Sequence, residues 1–307
     1  MIKIGSPIAA ALIAFIIVLN TVILPASKYK KAKKLMDSGD YESAYTLLTE
    51  LDYKDSADQA RSCLTQIYGK AKIGDYITFG SYEQDNDTTN GKEDIEWLVL
   101  DKQSNKMLII SKYALDTVPY NEDYESVTWE TCTLRTWMNN TFYNSAFSTT
   151  EQSIIKSSKV TADANPEYST DPGNDTTDKV FLLSINEVNK YFSSNEAGKC
   201  VPTDYAINKG ADTYCVYTVD GKATCGWWLR SPGDGSTDAA YVSNGGDVGC
   251  GGCGRPASIV IALQVSAMTA SLIALATMCT MTIFVFVRLC GLKSEIFNLQ
   301  IINLSRR

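Results

Sequence analysis

Two long segments without a charged residue lie near the ends of this 307-residue chain. The first, Ile4–Leu24, holds 21 residues. At about 1.5 Å per residue of α-helix, this length matches a hydrocarbon core of about 30 Å. The second, Val265–Val287, has no polar face that would make it an amphipathic core helix. We therefore predict an N-terminal membrane anchor over residues 1–27, a C-terminal transmembrane helix over 264–288 and a short basic tail over 289–307.

The first segment has two alternative interpretations. A signal-peptide core is about 7–15 residues long, which is shorter than this run, and Leu24 lies where a peptidase that cleaves after Ala26 prefers a small residue. A buried core helix fits poorly, because the apolar run is uninterrupted at the extreme N-terminus. An uncleaved anchor is therefore the favoured interpretation.

Basic residues mark the cytoplasmic side of membrane spans, and here they point in two directions. Lys3 at one end and Arg288 with Lys293 at the other place both termini inside, so that the middle of the chain faces outward. We therefore expect a cell-membrane protein whose central domain is extracytoplasmic. The opposite arrangement is favoured by five lysines directly after the first span: Lys28, Lys30, Lys31, Lys33 and Lys34.

Composition excludes several classes of function. The net charge of −7 argues against a nucleic-acid partner, because phosphate binding requires a basic surface. The chain has no histidine, which removes His-dependent catalytic triads and most catalytic zinc sites. Its nine cysteines form no regular framework, and Cys250-Gly-Gly-Cys253 is a lone pair, for which a zinc site would need two more ligands, with Cys215 and Cys225 as the candidates. We therefore expect no catalytic residue, no cofactor and no bound metal.

An acidic and amide-rich stretch over residues 85–94 raises the question of calcium. The EF-hand loop requires Gly at its sixth position and Glu at its twelfth. Counted from Asp85, the sixth position is Asn90; counted from Asn86, the twelfth is Trp97. Neither register fits, so we interpret this stretch as a solvated turn.

Residues 28–72 have the spacing of a short helical unit. The pattern A-x-x-L-x-x-x-G-x-Y-x-x-A runs from Ala32 to Ala44 and resembles a single tetratricopeptide-like repeat. One repeat cannot bury its own apolar face, since such arrays need about three. We therefore predict a helical stalk that either packs on the next domain or acts as a spacer.

From residue 73 the pattern changes to strands, turns and short helices. Ile95–Leu100 and Met107–Ser111 are rich in β-forming residues. Helical spacing follows at Thr131–Tyr143, Thr149–Ile155 and Ile185–Phe192. The mixture predicts a domain that contains both a sheet and helices.

Five segments of this region carry a family resemblance: IEWLVLDK, TCTLRTWMNNTFYNSAFSTTEQSII, NDTTDKVFLLS, CGWWLRSPG and AAYVSNGGDV, in this order. Together they resemble the bacterial domain family DUF6273, over residues 73–258. That family is similar to C-type-lectin-like proteins, which include the variable proteins of diversity-generating retroelements and formylglycine-generating enzymes. The resemblance implies an α+β fold, in which a C-type-lectin-like mixed domain with a twisted antiparallel sheet spans residues 73–263. The α-helical hairpin stalk precedes it, and transmembrane helices flank both.

In that fold the C-terminal part carries the ligand-facing surface, which corresponds here to residues 227–254. Apart from Tyr241 and two valines, the stretch 234–253 contains only small or short polar residues, which form adaptable hydrogen-bonding surfaces. The retroelement resemblance further implies diversification of this stretch by adenine-directed mutation. We predict that an unknown protein or carbohydrate ligand binds through Trp228, Asp234, Ser236, Asp238, Tyr241, Ser243, Asn244 and Asp247.

Side chains alternate along a strand, so Trp227 and Leu229 are expected on one face and Trp228 and Arg230 on the other. One face belongs to the core, and Arg230 is expected to pair with a carboxylate or a backbone carbonyl. Residues 255–263 have the pattern of a final strand, and apolar sequence follows almost without a linker. The second span is therefore either attached directly to the sheet or replaces its last strand.

These observations favour a membrane-anchored bacterial surface protein that displays a lectin-like ligand-binding domain. One alternative is an enzyme related to the formylglycine-generating fold. The other is a non-catalytic membrane sensor or scaffold, which recruits a partner through the helical stalk.

Overall fold

The computed structural model describes residues 7–214 and 216–267. The predicted C-terminal transmembrane helix lies outside the described residues, apart from its first four positions. The basic tail after it lies wholly outside them.

The N-terminal apolar segment is helical. Helix α1 (Pro7–Val18), a π-helical turn (Leu19–Ile23) and α2 (Leu24–Asp37) follow one another without a break. The π-helical turn lies directly before Pro25, whose nitrogen has no hydrogen to donate to the preceding turn. Within the described residues, one helix, Ala11–Asp37, is long and apolar enough to cross a membrane by length and composition.

Two further helices complete the stalk, α3 (Tyr41–Thr49) and α4 (Ser56–Gly69). Gly39 has a φ of +82°, which lets the chain turn after α2. The Asp40 carboxylate then accepts the backbone N–H of Ser43 and begins α3. The three helices enclose a small core of their own, made of Ala32, Ala44, Leu48, Ala60 and Cys63.

The stalk packs against the central domain. The Tyr68 hydroxyl donates to the Thr78 carbonyl at 3.0 Å, and its ring meets Phe79 edge-on with 5.5 Å between centroids. Leu64 is buried in the same core. Of the two arrangements predicted for the stalk, the structure therefore has the packed one.

Residues 76–266 form the central domain, whose fold is mixed α+β. In the described residues its helices are α5 (Thr133–Trp137), α6 (Tyr143–Ala146), α7 (Thr149–Gln152), α8 (Ile185–Tyr191), α9 (Asn195–Gly198) and α10 (Asp204–Asn208), with a π-helical turn (Met138–Phe142) between α5 and α6. Its strands are β1 (Tyr76–Tyr82), β2 (Glu93–Gln103), β3 (Lys106–Ser111), β4 (Asp116–Pro119), β5 (Ser158–Val160), β6 (Thr176–Asp178), β7 (Val180–Phe181), β8 (Thr218–Val219), β9 (Lys222–Ala223), β10 (Trp227–Pro232), β11 (Asp238–Val242), β12 (Val248–Gly252), β13 (Pro256–Ile259) and β14 (Ala262–Ser266).

Two five-stranded sheets carry the domain. The first has the order β1-β2-β3-β14-β7, and all its neighbouring strands are antiparallel. The second has the order β12-β11-β10-β13-β4, in which β10 and β13 are parallel and the other pairs antiparallel. Two hairpins, β5-β6 and β8-β9, form small separate sheets. The single antiparallel sheet expected from the sequence is thus corrected to two five-stranded sheets.

Segments 106–119 and 256–266 run side by side and pass together from one sheet to the other. At the bend, the backbone N–H of Ser111 donates to the Ile261 carbonyl at 2.8 Å. The N–H of Ile261 in turn donates to the Ser111 hydroxyl oxygen at 3.0 Å. The predicted final strand, residues 255–263, is therefore two strands in two sheets. The last strand, β14, is intact and includes residues 264–266, which the sequence had assigned to the second span.

One hydrophobic core extends across both sheets. Among its largest fully buried side chains are Trp97 on β2 and Trp227 on β10. Each of these indoles has a backbone partner for its N–H: the carbonyl of Phe79 at 2.6 Å and that of Gly198 at 3.0 Å. These bonds satisfy the polar atom that a buried tryptophan brings into a core.

Candidate ligand-binding cleft

Strand β10 is buried along its whole length, so neither of its faces meets solvent. Trp228 is 2% exposed, and its indole N–H donates to the Val118 carbonyl at 3.2 Å. Its ring packs edge-on against Tyr120, with 5.7 Å between centroids. The prediction that Trp228 contacts a ligand is therefore corrected: β10 is a central strand covered on both sides, and Trp228 is a core residue.

Arg230 joins β10 to the elements behind the cleft. Its guanidinium donates to the carbonyls of Leu182 at 2.8 Å and Thr161 at 3.1 Å. It also pairs with the carboxylates of Glu187, on α8, and Asp163, the latter at 3.4 Å. Both predicted kinds of partner, a carboxylate and a backbone carbonyl, are present. The network holds α8 and segment 161–163 against the sheet.

Tyr241 lies over the glycine-rich strand β12. A Cβ added to Gly249 would lie 3.3 Å from the Tyr241 ring, and one added to Gly251 would lie 3.5 Å from it. Tyr241 is half-buried, and on its other side it meets the ring of Trp228 edge-on at 6.2 Å between centroids. Tyr241 therefore covers part of the predicted surface instead of projecting freely from it.

The turn between β11 and β12 is held by its own polar side chains. The amide of Asn244 donates to the carbonyls of Asp212 and Thr224, both at 3.2 Å. The Ser243 hydroxyl accepts the N–H of Gly245 at 3.0 Å. Ser243 and Asn244, both predicted to bind a ligand, are thus engaged within the protein.

Gly246 sets the distance between this turn and α9. Its φ is +89°, and a Cβ added there would lie only 1.7 Å from the Asn195 carbonyl oxygen. Only glycine fits such an approach. The wall that α9 forms on one side of the cleft therefore depends on this residue.

A cleft of about 690 Å³ opens between α8, α9, segment 165–168 and the start of β12. Its volume lies within the range of small-ligand sites, about 300–1,000 Å³. Apolar side chains of Ile185, Val188 and Phe192 form one part of its wall. Polar groups form much of the remainder, among them Asn165, Glu167, Asn189, Asn195, Asp234 and Asp247.

The structure brings together only some of the predicted residues. Asp234 and Asp247 line this cleft. Asp234 also lines a neighbouring cleft of about 560 Å³, together with Asp238. Ser236 lies outside both clefts, and its hydroxyl is 2.8 Å from that of Ser126. The predicted surface is thus divided between two adjacent clefts and a set of structural residues.

Negative charge dominates the larger cleft. It contains the carboxylates of Glu167, Asp234 and Asp247, and its described lining includes no Lys or Arg. In the neighbouring cleft, burial and then the charge of Asp234 raise the pKa of the Asp238 carboxyl. The larger cleft therefore favours neutral polar or cationic groups over anions.

Cys250 lies between the two clefts and lines both. Burial, followed by the charge of Asp234, raises the pKa of its thiol, so the reactive thiolate is disfavoured. The Cys253 thiol is buried and lies 3.6 Å from the Glu125 carbonyl oxygen. In the described part of the chain the two sulfurs belong to no cluster of metal-ligating groups.

The wall formed by segment 165–168 was not predicted from the sequence. The side chain of Asn165 is buried and donates to the Pro232 carbonyl at 2.9 Å, which ties this segment to the end of β10. Glu167 and Tyr168 then face the cleft. The available signal was the composition of residues 163–179, which are rich in Asn, Asp, Ser, Thr, Pro and Gly.

The model of one protein family matches the chain: DUF6273, a domain of unknown function, over residues 104–261. No curated protein matches the chain, and no solved structure does. The matched range contains every residue that lines the larger cleft. Strands β1, β2 and β14 lie outside it, although all three belong to the first sheet.

Proposed function

The chain belongs to the DUF6273 family, and from this premise we propose that it is a membrane-anchored binding protein whose larger cleft holds a neutral or cationic polar ligand. The cleft between α8, α9 and β12 supports this proposal. It is concave, has an apolar wall for stacking or packing, and presents at least six polar side chains that can accept or donate hydrogen bonds.

The N-terminal helix supports the anchor. Its apolar side chains lie exposed, among them Leu12 and Phe15 at 60% each. A continuous apolar surface of this kind needs a cover, and a lipid bilayer provides one. A signal sequence meets the same criteria of length and composition. N-terminal sequencing of the protein from membranes distinguishes the two, since an anchor retains residues 1–27.

We propose that the central domain faces outward. Tags at each terminus combined with protease treatment of intact cells test this orientation. Cleavage of the central domain is expected while both tags remain protected. Protection of the central domain in intact cells, with cleavage only after lysis, would contradict the proposal.

Binding is tested with the full chain in detergent micelles. The probes are an array of neutral, amine-bearing and acidic glycans, together with short cationic and anionic peptides. We expect binding among the neutral or cationic probes, because three carboxylates in the cleft repel anions. The double variant Asp234→Asn and Asp247→Asn is expected to weaken that binding about tenfold or more, since hydrogen bonds to charged groups contribute about 1.5–3 kcal/mol each.

Asp220→Asn is the matched control. Asp220 is an exposed carboxylate at the turn of the β8-β9 hairpin, outside the lining of both clefts. Its replacement removes one carboxylate charge, as each of the two cleft substitutions does, and is expected to leave the dissociation constant unchanged. A loss of binding in this variant equal to that in the cleft variant would contradict a role for the cleft.

An enzyme related to the formylglycine-generating fold is the competing proposal. Such chemistry would use a reactive cysteine, and the protonated state favoured at Cys250 argues against it. Incubation of the full chain with cysteine-containing peptides and copper or calcium tests this proposal. Oxidation of a peptide cysteine at a rate that depends on Cys250 would support the enzyme and overturn the binding role.

Diversification of residues 234–253 remains a prediction. Residues within this stretch differ in what they tolerate, because Ala239, Ala240 and Val242 are buried and Gly246 permits no side chain. If diversification occurs, variation is expected to concentrate at exposed positions such as Asp234 and Asp247. A gene neighbourhood without an adenine-rich template repeat or a reverse transcriptase would refute it.

A scaffold that recruits a partner through the stalk is the remaining alternative. Much of the stalk's apolar surface is used internally or against the central domain. A partner captured in pull-downs that depend on residues 28–70, and not on the cleft carboxylates, would favour this alternative.

A further inference from the structure

Three carboxylates meet where β1 ends and β2 begins. Glu83 directly follows β1, Asp85 lies in the connection, and Glu93 is the first residue of β2. One carboxylate oxygen of each lies within 4.8 Å of the other two. We call these three residues the β1–β2 carboxylate cluster.

These distances fit a shared cation. Calcium binds its oxygen ligands at about 2.3–2.6 Å, so two oxygens on one ion are at most about 5 Å apart. The three oxygens meet this limit without any movement of the backbone. The cluster belongs to no EF-hand loop, because its ligands come from the two strand ends and from the connection between them.

The burial of Glu83 is not explained by its contacts within the described residues. Glu83 is only 9% exposed, and its Oε1 is buried without a hydrogen-bond partner. Within the described residues, Ser258 Oγ is the only other buried side-chain oxygen or nitrogen in that condition. A carboxylate oxygen with no partner is costly to bury.

No Lys or Arg lies within ion-pair distance of these carboxylates in the part of the chain that the structure describes. None of its ion pairs includes Glu83, Asp85 or Glu93. The adjacent Lys92 turns away, and its ammonium group donates to the carbonyl and hydroxyl oxygens of Ser145 at 2.6 and 2.9 Å.

The carboxylates are oriented by surrounding donors. Glu93 Oε2 accepts the backbone N–H groups of Gln84 at 2.6 Å and Asp85 at 3.3 Å. The two oxygens of Asp85 accept the N–H of Asp87 at 2.8 Å and the side-chain amide of Asn90 at 2.7 Å. Donors of this kind commonly fix the orientation of metal-ligating carboxylates.

We propose that the β1–β2 carboxylate cluster binds a calcium ion, with Glu83, Asp85 and Glu93 as its protein ligands. All three ligands are carboxylates, which suit hard cations rather than zinc or copper. Asp85 is exposed and Glu93 is half-buried, so water completes the six to eight ligands that calcium takes. Magnesium fits less well, because it requires near-ideal octahedral geometry and usually keeps most of its water.

The proposal departs from the sequence-based expectation of no metal. It does not depend on the ligand of the larger cleft, since none of the three residues lines that cleft. The ion would join the end of β1 to the start of β2 and neutralise the charge that Glu83 carries into the core.

The test measures thermal unfolding of the full chain in detergent, after EDTA treatment and dialysis, with increasing calcium chloride. In the wild type we expect a saturable rise of the unfolding midpoint, of about 5 °C or more once calcium exceeds its dissociation constant a hundredfold. Glu83→Gln and Glu93→Gln are expected to abolish this rise. Glu122→Gln, which removes an exposed carboxylate elsewhere, is the matched control and should keep it.

A second measurement separates loss of a ligand from loss of folding. In EDTA, Glu83→Gln is expected to unfold at a higher temperature than the wild type, because it removes an unbalanced buried charge. A wild-type midpoint that does not respond to about 10 mM calcium overturns the site, since extracellular calcium modules bind at about 10⁻⁴–10⁻³ M. A rise that survives in Glu83→Gln, or a Glu83→Gln variant less stable than the wild type in EDTA, also overturns it. An equal rise with magnesium at the same concentrations would overturn the assignment to calcium.

Discussion

Two groups of carboxylates in the central domain differ in what balances their charge. Around Arg230, the carboxylates of Glu187 and Asp163 share one buried guanidinium, which two backbone carbonyls also bind. In the β1–β2 carboxylate cluster, no guanidinium or ammonium group of the described residues takes that place. The first group is complete within the protein, whereas the second has the ligands of a cation site. Charge balance, rather than the number of acidic residues, distinguishes the two.

The largest effect is expected from Arg230→Met. Arg230 is 2% exposed, and its loss leaves two carboxylates and two carbonyls without their donor. Removing one member of a buried ion pair costs about 3–5 kcal/mol, so we expect a loss of that size in the free energy of unfolding. Urea denaturation followed by tryptophan fluorescence measures it.

Arg61→Met is the control for this substitution. Arg61 forms an exposed pair with Asp58 on α4, and such pairs contribute about 0.3–0.5 kcal/mol. If the two variants lose similar stability, the Arg230 network does not hold the domain together in the way its contacts indicate.

A smaller loss is expected from Glu187→Gln. The glutamine keeps an acceptor for the backbone N–H of Ser184, which Glu187 now binds at 3.0 Å, but it removes the charge facing Arg230. We expect a loss of about 1.5–3 kcal/mol, the range for hydrogen bonds to charged groups. Glu83→Gln is expected to increase stability when no cation is present, whereas Glu187→Gln is expected to decrease it. This difference in sign is the sharpest test of the comparison between the two groups of carboxylates.

Glu151→Gln isolates the contribution of charge. Glu151 forms the same capping box, with Ser148 at the start of α7, and also accepts the backbone N–H of Gly80 at 3.0 Å, but it forms no ion pair among the described residues. Glu151→Gln should therefore lower the free energy of unfolding by less than half as much as Glu187→Gln does. Equal losses at Glu151 and Glu187 would mean that the helix cap, and not Arg230, explains the effect.

The smallest effect concerns Asp116, a buried carboxyl group with neutral donors. It accepts the Tyr82 hydroxyl at 2.7 Å and the Thr117 N–H at 2.7 Å. Burial raises its pKa above that of the unfolded chain, so the folded state favours its protonated form. Its contribution to stability is therefore complete below the unfolded pKa of about 3.9 and is lost as pH rises through the higher folded pKa.

Comparison with Asp116→Asn measures this contribution. The unfolding free energy of the wild type, relative to that of the variant, should decrease as pH rises above about 4. We expect a change smaller than the effect of Glu187→Gln. An increase over the same range would mean that a cation near Asp116 reverses the effect of burial.

Local patterns in the sequence predicted several elements well. The helical spacing at Ile185–Phe192 and the strand-forming run Ile95–Leu100 are local signals, and the structure has a helix and a strand there. The partners of Arg230 were also predicted by type, because a buried guanidinium must be satisfied by carboxylates or carbonyls. DUF6273 membership is confirmed by the matched range.

Predictions that depended on long-range packing were less successful. Trp228 was placed on a surface because alternation along a strand implies one exposed face, but β10 has a sheet neighbour on each side and is covered on both faces. From the sequence, a calcium site was considered only in the form of an EF-hand loop. The β1–β2 carboxylate cluster instead depends on the pairing of two strands, which no spacing rule within the loop describes.

The wall of the larger cleft formed by segment 165–168 was not predicted for the same reason. Asn165 meets Pro232, which is 67 positions away along the chain. Neither the composition of the segment nor that of β10 indicates this contact. The separation of residues 255–263 into two strands was not predicted either. It follows from the bend at Ser111, which no feature of the sequence indicates.

The position of β14 has a consequence for the order in which this protein is made. Strand β14 lies between β3 and β7 in the first sheet, and β13 lies between β10 and β4 in the second. Neither sheet can therefore join its strands into one ladder until the ribosome has released residues 256–266. At a synthesis rate of about 5–20 residues per second, β3 is without its neighbour β14 for roughly ten seconds or longer. Both sheets are thus completed only by the last strands of the domain to be made, after the segments that these strands join.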